Sequence, residues 1–167
     1  MWNQIQKHFK DLPAQQKVAK LLFDRGFQVN DDGHVVSGHI EIPHTQIAKE
    51  IGVDRRAVDS TIHTIRSTPQ LKRIYQNLRQ VCSLEEVARE FNMGVIVFIP
   101  KNASQSGIIA QVTKMVSQKG LSIRQALAED PETEGFAKLI LILEGDIVPE
   151  LIEDIRKLPG THSVTVY

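Results

Sequence analysis

The run His44-Thr45-Gln46-Ile47-Ala48-Lys49-Glu50-Ile51-Gly52-Val53-Asp54-Arg55-Arg56-Ala57-Val58 holds one apolar stripe, Ile47, Ala48 and Ile51, at helical spacing. A second stripe, Val58, Ile62 and Ile65, follows at the same period. Gly52 stands between them, where a residue free to adopt positive φ can turn the chain. Asp54 stands where a side-chain oxygen can cap the second helix. Ala48, four positions before the glycine, is small where two helices must approach, and Ile47, Ile51, Val53 and Val58 take the buried positions. The run predicts two short helices joined by a tight turn.

Over its whole length this run resembles the helix-turn-helix of bacterial and archaeal repressors. The resemblance implies a partner, double-stranded DNA, whose major groove the second helix enters with its N-terminal residues leading. The outward side chains of that helix, Arg55, Arg56, Asp59, Ser60, His63 and Thr64, are the expected DNA contacts. Arginine pairs bidentately with the guanine edge or neutralises phosphate. Arg66, Lys72 and Arg73, just beyond, are placed to hold the DNA backbone.

Upstream, residues 2–12 predict a helix with Trp2, Ile5, Phe9 and Leu12 on one face. Pro13 opens a second helix, with Val18, Leu21 and Leu22 on its apolar side, and Gly26 ends it. Residues 27–36 read as a hairpin around Asn30-Asp31-Asp32-Gly33, either packing on the helices or serving as a wing. Downstream, Ser67-Thr68-Pro69 breaks the helical period. Two further amphipathic segments follow at 69–80 and at 83–91, the latter with Leu84, Val87, Ala88 and Phe91. Asn92-Met93-Gly94 marks a boundary. The expected organisation is a helix-turn-helix domain over 1–80, a connecting helix over 81–93 and a second domain over 94–167.

From Gly94 the order is strand, helix, strand, strand, helix, strand. It predicts an α+β chain whose second domain is ferredoxin-like: an antiparallel sheet with two helices on one face and the two continuous apolar strands at its centre. Gly107-Ile108-Ile109-Ala110-Gln111-Val112-Thr113 opens the first helix after a polar loop, and Lys119-Gly120-Leu121-Ser122-Ile123 follows it. These stretches resemble the ACT domain, a module that binds amino acids in regulators and metabolic enzymes, over about residues 94–167. The resemblance implies an effector site on Asn102, Ser104, Gln105, Ser106, Gly107 and Ile108, where a helix N-terminus offers unpaired N–H groups. Ile123, Arg124 and Gln125 on the next strand would complete the pocket at a dimer interface. The ACT pattern places an acidic residue three positions before the helix glycine and proline just before it; Ser104 and Ser106 stand there.

Composition narrows the classes. The 167 residues carry no net charge, but residues 1–80 hold 12 Lys and Arg against 8 Asp and Glu, and residues 81–167 hold 8 against 12. A +4 front and a −4 back suit a DNA-facing half and an acidic half. A single cysteine, Cys82, no long apolar run and no signal-peptide core together predict a cytoplasmic protein without a membrane partner. His39, Glu41 and His44 match no metal-ligand spacing, so no metal is expected and no cofactor. No phosphate loop, nucleophile elbow, zinc-protease motif or dinucleotide fingerprint is present, which argues against an enzyme. The whole chain also resembles archaeal proteins described as predicted regulators of amino acid metabolism. The resulting expectation is an amino-acid-responsive transcription regulator that forms a homodimer or higher homo-oligomer. The alternative is a regulatory subunit that leaves DNA alone and modulates a metabolic enzyme.

Overall fold

The computed structural model describes residues 1–102, 106–129 and 137–167. The chain is α+β and divides into two compact units, Met1–Val81 and Cys82–Tyr167.

The first unit opens with α1 (Trp2–Gln6), a 3-10 turn (Lys7–Phe9) and α2 (Pro13–Asp24). The single helix expected over 2–12 is therefore shorter and kinked. Lys10 is extended and Asp11 takes φ 62, so Leu12 leaves the apolar face and stands 44% exposed. Three short strands follow: β1 (Gln28–Val29), β2 (Val35–Ser37) and β3 (Ile40–Ile42). The expected hairpin is β1–β2, with Val29 opposite Val35. β3 was not legible in the sequence. It pairs antiparallel with β2 after a turn at Gly38, where φ is 63.

The helices α3 (His44–Ile51), α4 (Arg55–Ser67) and α5 (Pro69–Asn77) complete the unit. Thr68 is extended before Pro69, which has the ring-fixed φ that a first helical position accepts. Tyr75 of α5 is fully buried, and its hydroxyl donates to the Ala19 carbonyl of α2 at 2.9 Å. Phe9, Leu22, Val35, Val58 and Ile65 lie in the same core, so strands, turn and helices share one apolar centre.

The second unit contains β4 (Met93–Pro100), α6 (Ile108–Gln118), β5 (Ile123–Ala128), β6 (Leu139–Glu144), α7 (Pro149–Arg156) and β7 (Thr161–Val166). Its sheet runs β5-β6-β4-β7, every pair antiparallel. The two continuous apolar strands, β4 and β6, are the central ones. Phe136, expected to begin the second of them, lies outside the described residues. Ile96, Phe98, Leu141 and Leu143 pack on Val112 and Val116 of α6 and on Leu151 and Ile155 of α7.

The opposite sheet face, Val95, Val97, Ile140 and Ile142, is covered by Leu84 and Ala88. The amphipathic helix expected over 83–91 is instead a strap: an irregular stretch through Leu84, a turn over Glu85–Val87 and one 3-10 turn, Ala88–Phe91. The Gln125 side chain bonds both sides of this strap, accepting from the Leu84 N–H at 2.9 Å and donating to the Cys82 carbonyl at 2.7 Å. Those backbone groups are thereby held out of a helix, and two of the expected apolar positions, Val87 and Phe91, face solvent at 42% and 58% exposure.

Candidate nucleic-acid interface

α3 and α4 are joined by three residues. Gly52 takes φ 64 and ψ 43 at the end of α3, and its N–H reaches the Ala48 and Lys49 carbonyls. Val53 N–H donates to the Ala48 carbonyl at 3.0 Å, closing the helix end with a left-handed cap. Asp54 then caps α4, its carboxylate accepting from the Arg56 N–H at 2.8 Å. Val58, Thr61, Ile62 and Ile65 bury one side of α4, and the Thr61 hydroxyl is satisfied by the Ala57 carbonyl at 2.7 Å.

The other side of α4 presents Arg55, Arg56, Asp59, Ser60 and His63 to solvent, whereas Thr64 is half-buried and its hydroxyl donates to the Ser60 carbonyl at 3.0 Å. The structure therefore gathers five of the six predicted contacts on one exposed face and gives the sixth a partner within the helix.

Electrostatically this face is not a bare cationic surface. Arg56 Nε lies 3.1 Å from Asp54 Oδ1, and Nη2 lies 3.3 Å from Oδ2. The side-chain hydrogen bond from Arg56 holds the Asp54 carboxyl below the usual carboxylate range, and the same bond raises Arg56. Arg55 Nε lies 3.6 Å from Asp59 Oδ2, and His44 Nδ1 lies 2.7 Å from Asp59 Oδ1. Each leading arginine thus rests on a carboxylate. The two arginines and the two aspartates are exposed, so their pairing is weak, while His44 is half-buried.

Two of the cations assigned to the DNA backbone have other work. Lys72 Nζ lies 2.7 Å from Asp31 Oδ1, the Gln76 amide donates to the same oxygen at 2.9 Å, and the Arg66 guanidinium donates to the Asp31 carbonyl. They lock the β1–β2 turn onto α4 and α5. Arg73 is exposed and has no ion pair among the described residues. Sequence reading missed Asp31 as an anchor, because a turn aspartate is expected in any hairpin of this kind.

Among the described residues, the expected effector positions fall at two ends of the sheet. Ser104 and Gln105 lie outside the described residues. Gly107 begins α6 with φ 86, and a Cβ there would meet nothing nearer than Gln111 Nε2 at 4.0 Å. Asn102 and Ser106 are exposed, but Ile108 is 8% exposed and belongs to the core. Ile123, Arg124 and Gln125 sit at the other end of the sheet. Ile123 is opposite Leu143, which is opposite Gly94, six residues along β4 from Pro100. At strand rise that is about 20 Å from the loop, with β6 lying between the two strands. Arg124 faces Glu144 at 3.6 Å, and Gln125 holds the strap.

Among the described residues no cluster of His, Cys, Asp and Glu could hold a metal ion, and no helix is long and apolar enough to cross a membrane.

No protein-family model matches the chain, and no curated protein matches it. Among solved structures the chain is similar to an AsnC family transcriptional regulator from Agrobacterium tumefaciens, at 13% identity and a TM-score of 0.30, over 92% of this chain and 86% of that one. It is similar also to a transcriptional regulatory protein of Pyrococcus furiosus, a member of the same family, at 14% identity and a TM-score of 0.29, over 95% of this chain and 87% of that one. Superpositions this loose assign neither fold nor function.

Proposed function

We propose that the chain is a transcription regulator that binds double-stranded DNA through α4, with residues 1–80 as the DNA-binding part and 94–167 as an ACT-like, ferredoxin-like sensor and dimerisation part. One observation carries the reading. The α3–turn–α4 pair buries one side of α4 and leaves Arg55 and Arg56 exposed at its N-terminal end, with Ser60 and His63 exposed further along the helix. Arginine, hydroxyl and imidazole groups along the exposed side of a helix are suited to phosphate and base-edge contacts. A helix that served packing alone would not need that combination.

The sensing part rests on the βαββαβ order and on the glycine that opens α6. A small effector, an amino acid, would meet oriented N–H groups at that helix start. β5 of the same chain is too distant to complete such a pocket, so that arrangement needs the strand of a second copy in a homodimer. Docking on a metabolic enzyme is the second reading. It is favoured by Asp54 and Asp59, which neutralise the two arginines that DNA would need. Anisotropy of a labelled duplex titrated with the full chain separates the readings: the regulator binds it, and the enzyme-docking subunit does not.

A further inference from the structure

The hairpin of β2 and β3 closes on a two-residue turn, Gly38-His39, with Ser37 opposite Ile40 and Val35 opposite Ile42. Side chains alternate along a strand, so Val35, Ser37, Ile40 and Ile42 share one face. At the root that face is core: Val35 is fully buried, and Ile42 packs against the core of the first unit. At the tip the same face runs on uncovered. Ser37, Gly38 and His39 are exposed, and a Cβ on Gly38 would meet nothing within 4 Å. Ile40 is 73% exposed, more than any other large apolar side chain among the described residues. Glu41, the hairpin's one carboxylate, stands on the opposite face with Val36, and its Oε2 lies 3.0 Å from His34 Nδ1.

The root of this hairpin is tied to α4 on both sides. Four residues before β2, the Asp31 carbonyl accepts from the Arg66 guanidinium. Two residues after β3, His44 Nδ1 lies 2.7 Å from Asp59 Oδ1. Asp59 and Arg66 are seven residues apart, hence on one stripe of the helix, and Arg55 begins that stripe four residues earlier. The hairpin therefore leaves the body beside the stripe that carries the leading arginine. A hairpin that served packing alone would end where the core ends. The β1–β2 turn does so, locked by Lys72, Gln76 and Arg66, whereas the β2–β3 turn overshoots. Ile40 is four residues from His44, so it stands within about 14 Å of it. The major groove of B-DNA is about 12 Å wide. A tip with that reach, beside a helix lying in the groove, can meet the sugar-phosphate wall and the minor groove beyond it.

We propose that the β2–β3 hairpin is a wing whose tip enters the minor groove next to the major groove that α4 occupies, with Ile40 against the sugars and base edges and Ser37 and His39 on phosphates. The proposal rests on reading α4 as the DNA-binding helix, and it adds a second contact surface for the same duplex. Minor-groove binders recurrently insert apolar side chains, isoleucine among them, at base steps. The contact at Ile40 differs in kind from that of the arginines. It removes apolar surface from water and releases no counterion, so it adds affinity without adding to the salt dependence.

The test titrates a labelled duplex with A·T-rich flanks with the full chain, by anisotropy at several salt concentrations. Ile40→Thr keeps a β-branched residue in the strand while removing apolar surface, and Ile40→Asp sets a carboxylate against the phosphates. Ile40→Thr is expected to raise the duplex Kd about fivefold, and Ile40→Asp at least about tenfold. The melting temperature of the free protein is expected to stay unchanged in both. The salt slope of Ile40→Thr is expected to equal that of wild type, whereas Arg55→Ala flattens it. Netropsin, which fills the minor groove of A·T runs, is expected to weaken wild-type binding more than binding by Ile40→Asp. The wing is overturned if both Ile40 variants bind duplex with wild-type affinity, or if netropsin weakens wild type and Ile40→Asp alike. It is overturned also if light scattering shows that Ile40→Asp changes the oligomeric state of the free protein, which would make the tip a protein contact. Wild type that binds no duplex at low salt overturns the reading of α4 and the wing together. Affinity lost at Arg55 and Arg56 but kept in both Ile40 variants overturns the wing alone.

Discussion

His44 Nδ1 lies 2.7 Å from Asp59 Oδ1, so the first residue of α3 is tied to the exposed face of α4 beside Arg55. The contact adds a polar tie between the two helices and occupies the carboxylate beside Arg55. Asp59→Asn is expected to change stability by less than about 1 kcal/mol, because the pair is on the surface. It is expected to bind mixed-sequence duplex more tightly, with a fall in log affinity against log salt steeper by about one unit, the signature of one added phosphate contact. A salt series by fluorescence anisotropy measures both effects.

Tyr75 ties α5 to α2 through its bond to the Ala19 carbonyl, and burial pushes its hydroxyl well above the usual tyrosine range. Tyr75→Phe keeps the ring and is expected to cost about 1 kcal/mol. Tyr75→Ala empties the site and is expected to cost about 3–5 kcal/mol. Urea denaturation monitored by circular dichroism reads the two values. Equal costs would mean that the ring contributes nothing.

Asp31 holds the β1–β2 turn through Lys72, whose hydrogen bond is the largest cause of its depressed pKa, and then through Gln76 and Arg66. A carboxylate whose pKa is lowered on folding adds stability above its ordinary value of 3.8, and that stability is lost as pH falls through the lower folded value. Wild type is therefore expected to melt above Asp31→Asn at pH 7. The two melting curves should approach one another as pH drops below about 4. A constant gap from pH 7 to pH 3 would remove the charge from the account.

How much of this was legible in the sequence follows from the range of each interaction. The α3–turn–α4 pair was readable because its determinants, Ala48, Gly52, Asp54 and Val58, lie within eleven residues and act on local backbone. The central places of β4 and β6 were readable because strands covered on both faces must be apolar throughout. The strap was misread as a helix because Leu84, Val87, Ala88 and Phe91 have helical spacing, while the group that overrides it, Gln125, is some forty residues away. The charged face of α4 was readable as residues but not as pairs. Which carboxylate neutralises which arginine depends on rotamers and, for His44 and Asp59, on the packing of two helices. That Gly107 and Gln125 of one chain stand apart follows from the sheet order, in which β6 lies between β4 and β5.

Gln125 is expected to act as a structural clip. Gln125→Ala removes both bonds to the Cys82–Leu84 backbone and is expected to destabilise the second unit by about 1–3 kcal/mol, with faster hydrogen exchange over residues 82–91. A variant with unchanged exchange there, but weakened amino-acid binding, would make Gln125 a ligand contact instead.

The measurement that bears most directly on the proposed function is the affinity of the full chain for a labelled duplex of mixed sequence between 50 and 200 mM salt, roughly the range over which phosphate contacts show their salt dependence. It is made for wild type and for the Arg55→Ala, Arg56→Ala double variant. Wild type is expected to bind with a non-specific Kd of about 10⁻⁴–10⁻⁶ M and a linear fall of log affinity with log salt. The folded double variant is expected to bind more weakly, its slope reduced by about one unit for each arginine that contacts phosphate. No binding of duplex at the lowest salt, or identical affinity and slope in the two proteins, would contradict the assignment of α4 as the DNA-reading helix.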